Sequence, residues 1–159
     1  MPSKGALSFA VEDFPVRIVA VDPTVPGETH ADFTKDQARW LHKTLAKRRK
    51  QPTIVSLHHP PFLTHDRLFD HIGLRNADLF ARVISGHKQV SRIICGHHHR
   101  VAVGQVAHAT TVVAPSTSWV YGLAVRDGQP IAPRTAERPG WMLHAWTPRD
   151  GFASHFMEL

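Results

Sequence analysis

Three consecutive histidines, His97, His98 and His99, stand between Gly96 and Arg100 at the close of the apolar run Arg92-Ile93-Ile94-Cys95. A second pair, His58-His59, closes the run Thr53-Ile54-Val55-Ser56-Leu57 and is followed by Pro60-Pro61. Neutral imidazole is a common side-chain ligand for zinc and similar ions. Two histidine clusters leaving the ends of two strands therefore point to a shared metal. If the triplet stays extended, the period of two sends His97 and His99 to one side and His98 to the other. Gly96 lets the chain turn out of its strand without steric cost. The two prolines stiffen the exit after His59 and keep a helix from absorbing it.

Positioning these clusters calls for an α/β scaffold. Leu7-Ser8-Phe9-Ala10-Val11 reads as a short strand, and Val16 to Asp22 as a buried one, broken by Pro23, Pro26 and Gly27. Glu28, His30 and Asp32 follow in what reads as a solvated loop rather than a ligand set. Thr34-Lys35-Asp36-Gln37 has the side chains of a capping box, and Ala38, Leu41 and Leu45 recur at helical spacing, so a helix runs from here to near Lys50. Strand, helix, strand implies a right-handed crossover between parallel neighbours. Open sheets of that kind place ligands at the carboxyl ends of their strands, where both clusters lie. Phe62 to Leu74 is loop or short helix carrying His65, Asp66, Asp70 and His71. Asn76 is placed to cap a helix reaching Ser85, and Gly86 to stop it. Val90 to Cys95 is the third strand.

Beyond Arg100 the pattern shortens to a period near two in Val101 to Ala107, Thr110 to Ala114, Trp141 to Trp146 and Phe152 to Glu158. Gly104, Asp127-Gly128, Pro139-Gly140 and Asp150-Gly151 supply turns, so an antiparallel meander is expected. Residues 116–139 are polar and rich in proline and arginine, and read as an insertion that covers the site or contacts another subunit.

With 159 residues, 42% of them hydrophobic, the chain has the size and content of one domain with a real core. No apolar run is long enough to cross a membrane, and no signal-peptide pattern opens the sequence, so the expectation is a soluble cytoplasmic protein. Cys95 is the single cysteine and reads as buried packing. Lys and Arg number 19 against 13 Asp and Glu, a formal net charge of +6 that favours anionic partners. The basic residues are dispersed apart from Lys47-Arg48-Arg49-Lys50, and no stripe interleaves them with aromatics, which argues against nucleic acid. Of the 13 histidines, His30, His42, His65, His71, His87, His108, His144 and His155 read mainly as surface or packing residues.

Taken in order, the strand Val16 to Asp22, the segment Gln37-Ala38-Arg39-Trp40-Leu41, then Leu57-His58-His59-Pro60-Pro61-Phe62 and Cys95-Gly96-His97-His98-His99-Arg100 resemble the C-terminal half of a calcineurin-like metallophosphoesterase. The nearest branch is that of bacterial class III cyclic-nucleotide and glycerophosphodiester phosphodiesterases, and the likeness runs from about Val16 to Leu159. It implies part of an α/β/β/α sandwich without its N-terminal half, and hydrolysis of phosphodiesters when the site is complete. Such sites hold two divalent ions, manganese, iron, zinc or cobalt, about 3.5 to 4 Å apart. By resemblance His58 and His97 belong to the second ion and His99 to the first. His59, His98 and Arg100 would support them or face substrate, and His65 or His71 would approach its phosphate. The family's Asp-x-His, Gly-Asp and Gly-Asn-His motifs have no match here. The chain alone is therefore expected to bind metal weakly or not at all and to be catalytically impaired. The alternative is a non-catalytic remnant serving as an oligomerisation or interaction module, and in either case a half-sandwich is expected to self-associate to cover its open face.

Overall fold

The computed structural model describes residues 7–126, 129 and 134–159. In chain order the elements are β1 (Phe9–Val11), β2 (Arg17–Ala20), β3 (Ala31–Asp32), α1 (Lys35–Ala46), β4 (Thr53–Ser56), α2 (Arg67–His71), β5 (Leu74–Arg75), α3 (Ala77–Ser85), β6 (Val90–Cys95), β7 (Ala102–Val106), β8 (Ala109–Val113), β9 (Gly140–Thr147) and β10 (Gly151–Glu158). One six-stranded sheet, ordered β1-β2-β4-β6-β8-β7, carries the fold. Its four inner strands run parallel, and β1 and β7 flank them antiparallel. The fold class is the expected mixed α/β, with a separate β9–β10 hairpin at the C-terminal end.

Apolar side chains on one face of the sheet drive the assembly. Val19, Val55, Ile93 and Val113 are fully buried against Leu41 and Leu45 of α1 and Phe80 and Ile84 of α3. Phe33 meets Phe80 edge to face at 5.2 Å, a geometry that aligns ring edge with ring face. α1 begins as the capping box demands: Gln37 N–H donates to Thr34 Oγ1 at 3.2 Å, and Thr34 N–H to Gln37 Oε1 at 2.8 Å. Gln37 Nε2 also donates to Asp22 O at 2.6 Å, which ties the helix start to the chain leaving β2.

On the opposite face, Ala20, Ser56, Ile94 and Ala114 border a groove of about 470 Å³ that Met142 and His144 of β9 help to line. Arg92 lies 5.5 Å from the Phe152 ring and donates through Nη2 to Phe152 O at 3.1 Å. The hairpin thus covers part of that face.

Three local expectations are corrected. α1 stops at Ala46 rather than near Lys50, because Lys47 N–H and Arg48 N–H turn to the carbonyls three residues back, Thr44 and Leu45. The tetrad Lys47-Arg48-Arg49-Lys50 therefore follows the helix instead of forming its last turn. Asn76 precedes α3 but does not cap it through its side chain; pairing of β3 with β5 brings Asp32 within reach, and Asn76 Nδ2 donates there at 2.6 Å. In the meander, β7 and β8 are antiparallel as expected, yet β8 also inserts parallel to β6 and so belongs to the main sheet. The Asp127-Gly128 turn lies outside the described residues.

At the end of the sheet away from the histidine clusters, His87 is fully buried, 3.1 Å from His42 Nδ1 through its Nε2. Burial pushes the His87 pKa below the ordinary imidazole value, with His42 and Arg49 adding to the effect. The unfolded chain takes up a proton as pH falls through about 6.5, whereas the folded chain resists it until lower pH. Stability present above that pH is therefore lost on acidification, by about 1.4 kcal/mol per pH unit for each such proton. Urea unfolding followed between pH 7.5 and 5 is expected to weaken steadily, and His87→Gln to remove about one proton from the slope; an unchanged slope in the variant would contradict this.

Candidate metal-ligand site at the strand ends

The parallel pairing of β4 and β6 continues past both strand ends. Leu57 N–H donates to Ile94 O at 3.2 Å, and Gly96 N–H to His58 O at 2.9 Å. Gly96 packs closely beneath the His58 ring: a Cβ there would stand 3.4 Å from His58 Nδ1, at ordinary van der Waals contact. The result is that His97 Nδ1 lies 3.3 Å from His58 Nε2.

His59 joins them. Its ring centroid is 4.1 Å from that of His97 and 4.9 Å from that of His58. His59 Nε2–H donates to Thr29 O at 3.1 Å, which fixes the tautomer and leaves Nδ1 as a buried lone pair with no partner. The loop carrying His30 is therefore next to the cluster although its side chains read as solvated.

The triplet is not extended. His97 and His99 adopt left-handed backbone, with φ of 69° and 58°, and the three rings diverge. His97 turns to His58 and His59. His98, 2% exposed, turns inward, where its Nε2 stands 3.4 Å from the fully buried carboxyl of Asp66, a contact in ionic range but poorly aligned as a hydrogen bond. His99 Nδ1–H donates to Trp119 O at 3.2 Å, and its ring lies 4.9 Å from Tyr121. Phe69 of α2 wedges between these directions, edge-on to His97 at 5.4 Å and to His98 at 4.9 Å.

Arg100 donates through Nη1 to Tyr121 O at 2.7 Å and through Nη2 to Glu137 Oε2 at 2.8 Å, so its guanidinium ties Tyr121 to Glu137. His65 and His71 are exposed at the two ends of α2 and are not brought into the cluster. The sequence names Asp66 only as one polar residue of the Phe62 to Leu74 segment and does not single out Phe69. The available signal was Asp66 preceding a short helix with an aromatic residue one turn on.

Burial sets the protonation of the cluster. It pushes His97 down to about 3, helped by His59 and His58, and lowers His58 and His59 as well. His98 is lowered by burial in spite of Asp66, which opposes the shift. The rings are neutral at pH 7, with lone pairs available for a Lewis acid. Cys95 behind them is pushed far above its ordinary value by burial and holds no thiolate.

No family model matches the chain. Among curated proteins it is 29% identical to a probable glycerophosphodiester phosphodiesterase of Arcobacter nitrofigilis, over 94% of this chain and 55% of that protein. It is 33% identical to a probable cyclic nucleotide phosphodiesterase of Synechococcus, over 74% of this chain and 45% of the relative. The fold matches a crystal structure of a dimetal phosphatase from Danio rerio with a TM-score of 0.55 and 16% identity, over 70% of this chain and 50% of that one. The chain belongs to the metallophosphoesterases. It spans about half the length of the curated relatives it matches.

For a metallophosphoesterase, the test is whether these residues fit two ions. A nitrogen to nitrogen gap of 3.3 Å is close to the edge of a tetrahedral site built on bonds of about 2.0 Å, so His58 and His97 fit two corners of one ion's shell. Among the described residues no group of three ligating side chains converges on a point. Asp66 faces His98 and Ala124, and among the described residues no carboxylate joins these histidines in one ligand group. These residues alone do not fit a two-ion centre.

Proposed function

We propose that this chain supplies the C-terminal share of a metal-dependent phosphodiesterase site, with His58 and His97 on one ion and His99 on the other, and that the acidic donors come from residues outside these 159. The single observation that carries the reading is the 3.3 Å approach of His58 to His97 at the carboxyl ends of adjacent parallel strands. The names of the matching relatives, a glycerophosphodiester and a cyclic nucleotide phosphodiesterase, support a phosphodiester as substrate. The net charge of +6 suits an anionic ester.

Divalent ions, when bound, would supply the positive charge that a phosphoryl displacement needs on its attacking and leaving oxygens. The chain's own part is to hold and exclude. The β4–β6 pairing fixes the spacing of the ligand pair, Thr29 O holds the tautomer of His59, and Phe69 closes the inner side of the cluster. Without acidic donors nothing offsets the charge of two adjacent dications, and the 159 residues alone are expected to hydrolyse phosphodiesters poorly or not at all.

Fusing the N-terminal half of the Arcobacter relative ahead of this chain tests the assignment with bis(p-nitrophenyl) phosphate and manganese. The fusion is expected to hydrolyse the ester, the chain alone to lack that activity, and His97→Ala or His58→Ala to abolish it. Equal rates for chain and fusion, or an active His97→Ala fusion, would contradict the proposal.

A specific observation favours self-association beside this. On the outer face of the hairpin Trp141 is paired directly with Met157 and flanked by Leu143, and the three are 42%, 38% and 45% exposed. Light scattering is expected to give a mass above the 17.8 kDa of one chain; a monomer at high concentration would rule this out.

A further inference from the structure

Left-handed backbone at His97 and His99 is unfavourable for residues with a Cβ, and such a turn persists only where its surroundings hold it. Local bonds contribute: His98 N–H donates to Gly96 O at 2.8 Å and Ser116 N–H to His99 O at 3.3 Å. The deeper hold lies under His98, at Asp66. A buried carboxyl is costly unless its oxygens are engaged, and the partners of Asp66 come from three separate segments. Oδ1 accepts from Leu68 N–H at 3.1 Å and so caps α2. Oδ2 stands 3.5 Å from Ala124 N and 3.4 Å from His98 Nε2. Ala124 is itself buried, and its carbonyl accepts from Arg67 N–H at 3.1 Å, so the segment bearing Trp119 and Tyr121 is tied at the same place.

The two oxygens have different chemical requirements. An amide oxygen caps a helix as well as a carboxylate does, so the Oδ1 role accepts asparagine. The Oδ2 role does not. It faces one backbone N–H and one imidazole nitrogen, and an amide NH2 there would set donor against donor. A carboxylate accepts at both oxygens, whereas an asparagine amide accepts at one only.

We propose that Asp66 is the positioning residue of the histidine turn: through Oδ2 it holds His98, and with His98 the strained backbone that presents His97 and His99, against the wall formed by Trp119 and Tyr121. Its functional meaning rests on the ligand roles proposed above; its test does not, because it is read on the metal-free chain.

Long-range proton–nitrogen NMR of histidine-labelled protein at neutral pH reports each ring's tautomer. Wild type is expected to show His98 protonated on Nε2, the nitrogen facing Asp66. Asp66→Asn retains the cap, so circular dichroism and the His42 and His87 signals stay as they are, while His98 leaves the pure Nε2–H form and His97 and His99 shift. Chymotryptic cleavage at Trp119 and Tyr121 rises about tenfold, the opening expected from losing roughly one bond to a charged group. His98→Gln, whose amide can still donate to Asp66, keeps the His97 and His99 signals, and His98→Ala does not. The proposal is overturned if wild-type His98 is protonated on Nδ1, or if Asp66→Asn leaves signals and cleavage unchanged. Should Asp66→Asn not fold, the His98 pair decides: equal spectra for His98→Gln and His98→Ala would overturn it. An active fusion with unmoved Asp66→Asn spectra sinks the positioning role alone. Spectra that move with an inactive fusion sink only the ligand roles.

Discussion

Backbone pairing between β4 and β6 runs on past the last residue of each strand, through Leu57 N–H to Ile94 O and Gly96 N–H to His58 O, and the site follows from that continuation. Strands pair about 4.8 Å apart, so residues just beyond adjacent parallel ends are held within side-chain reach of each other. What keeps the two strands adjacent is remote from the chemistry: Val55 and Ile93 are buried under Leu41, Leu45, Phe80 and Ile84. The core fixes the sheet, and the sheet fixes the distance between two imidazoles.

A second constraint is electrical. The cluster is built from neutral rings, kept neutral by burial, with His97 pushed down to about 3. Such a set offers lone pairs and no negative charge. Among the described residues the one buried carboxyl is that of Asp66, and it faces His98 and Ala124. A lone ion can be held by imidazoles and water, but two ions side by side need anionic bridging, which these residues do not provide.

Much of this was legible in the chain. β6 was bounded as Val90 to Cys95 from its apolar run, the capping box at Thr34 from side-chain types, and the meeting of His58 with His97 from two histidine clusters at strand ends. Those features are local, or follow from the single rule that parallel strands align their carboxyl ends. What stayed hidden depends on partners far along the sequence. Asn76 gives up its cap because Asp32 reaches it through the β3–β5 pairing, and β8 joins the main sheet because an open edge of β6 accepts it. The divergence of His97, His98 and His99 depends on three different neighbours, His58, Asp66 and Trp119, none of which sits next to the triplet in sequence. A period of two had no means of anticipating left-handed backbone.

The proposed metal role requires that His58 Nε2 and His97 Nδ1, 3.3 Å apart, share one cation. Titrating the histidine-labelled chain with zinc into the millimolar range, with ring nitrogens observed by NMR, tests it most directly. Those two nitrogens are expected to move together along one binding curve, ahead of the exposed His65 and His71. Separate curves for the two, or a response at His65 and His71 while His58 and His97 stay fixed, would contradict it.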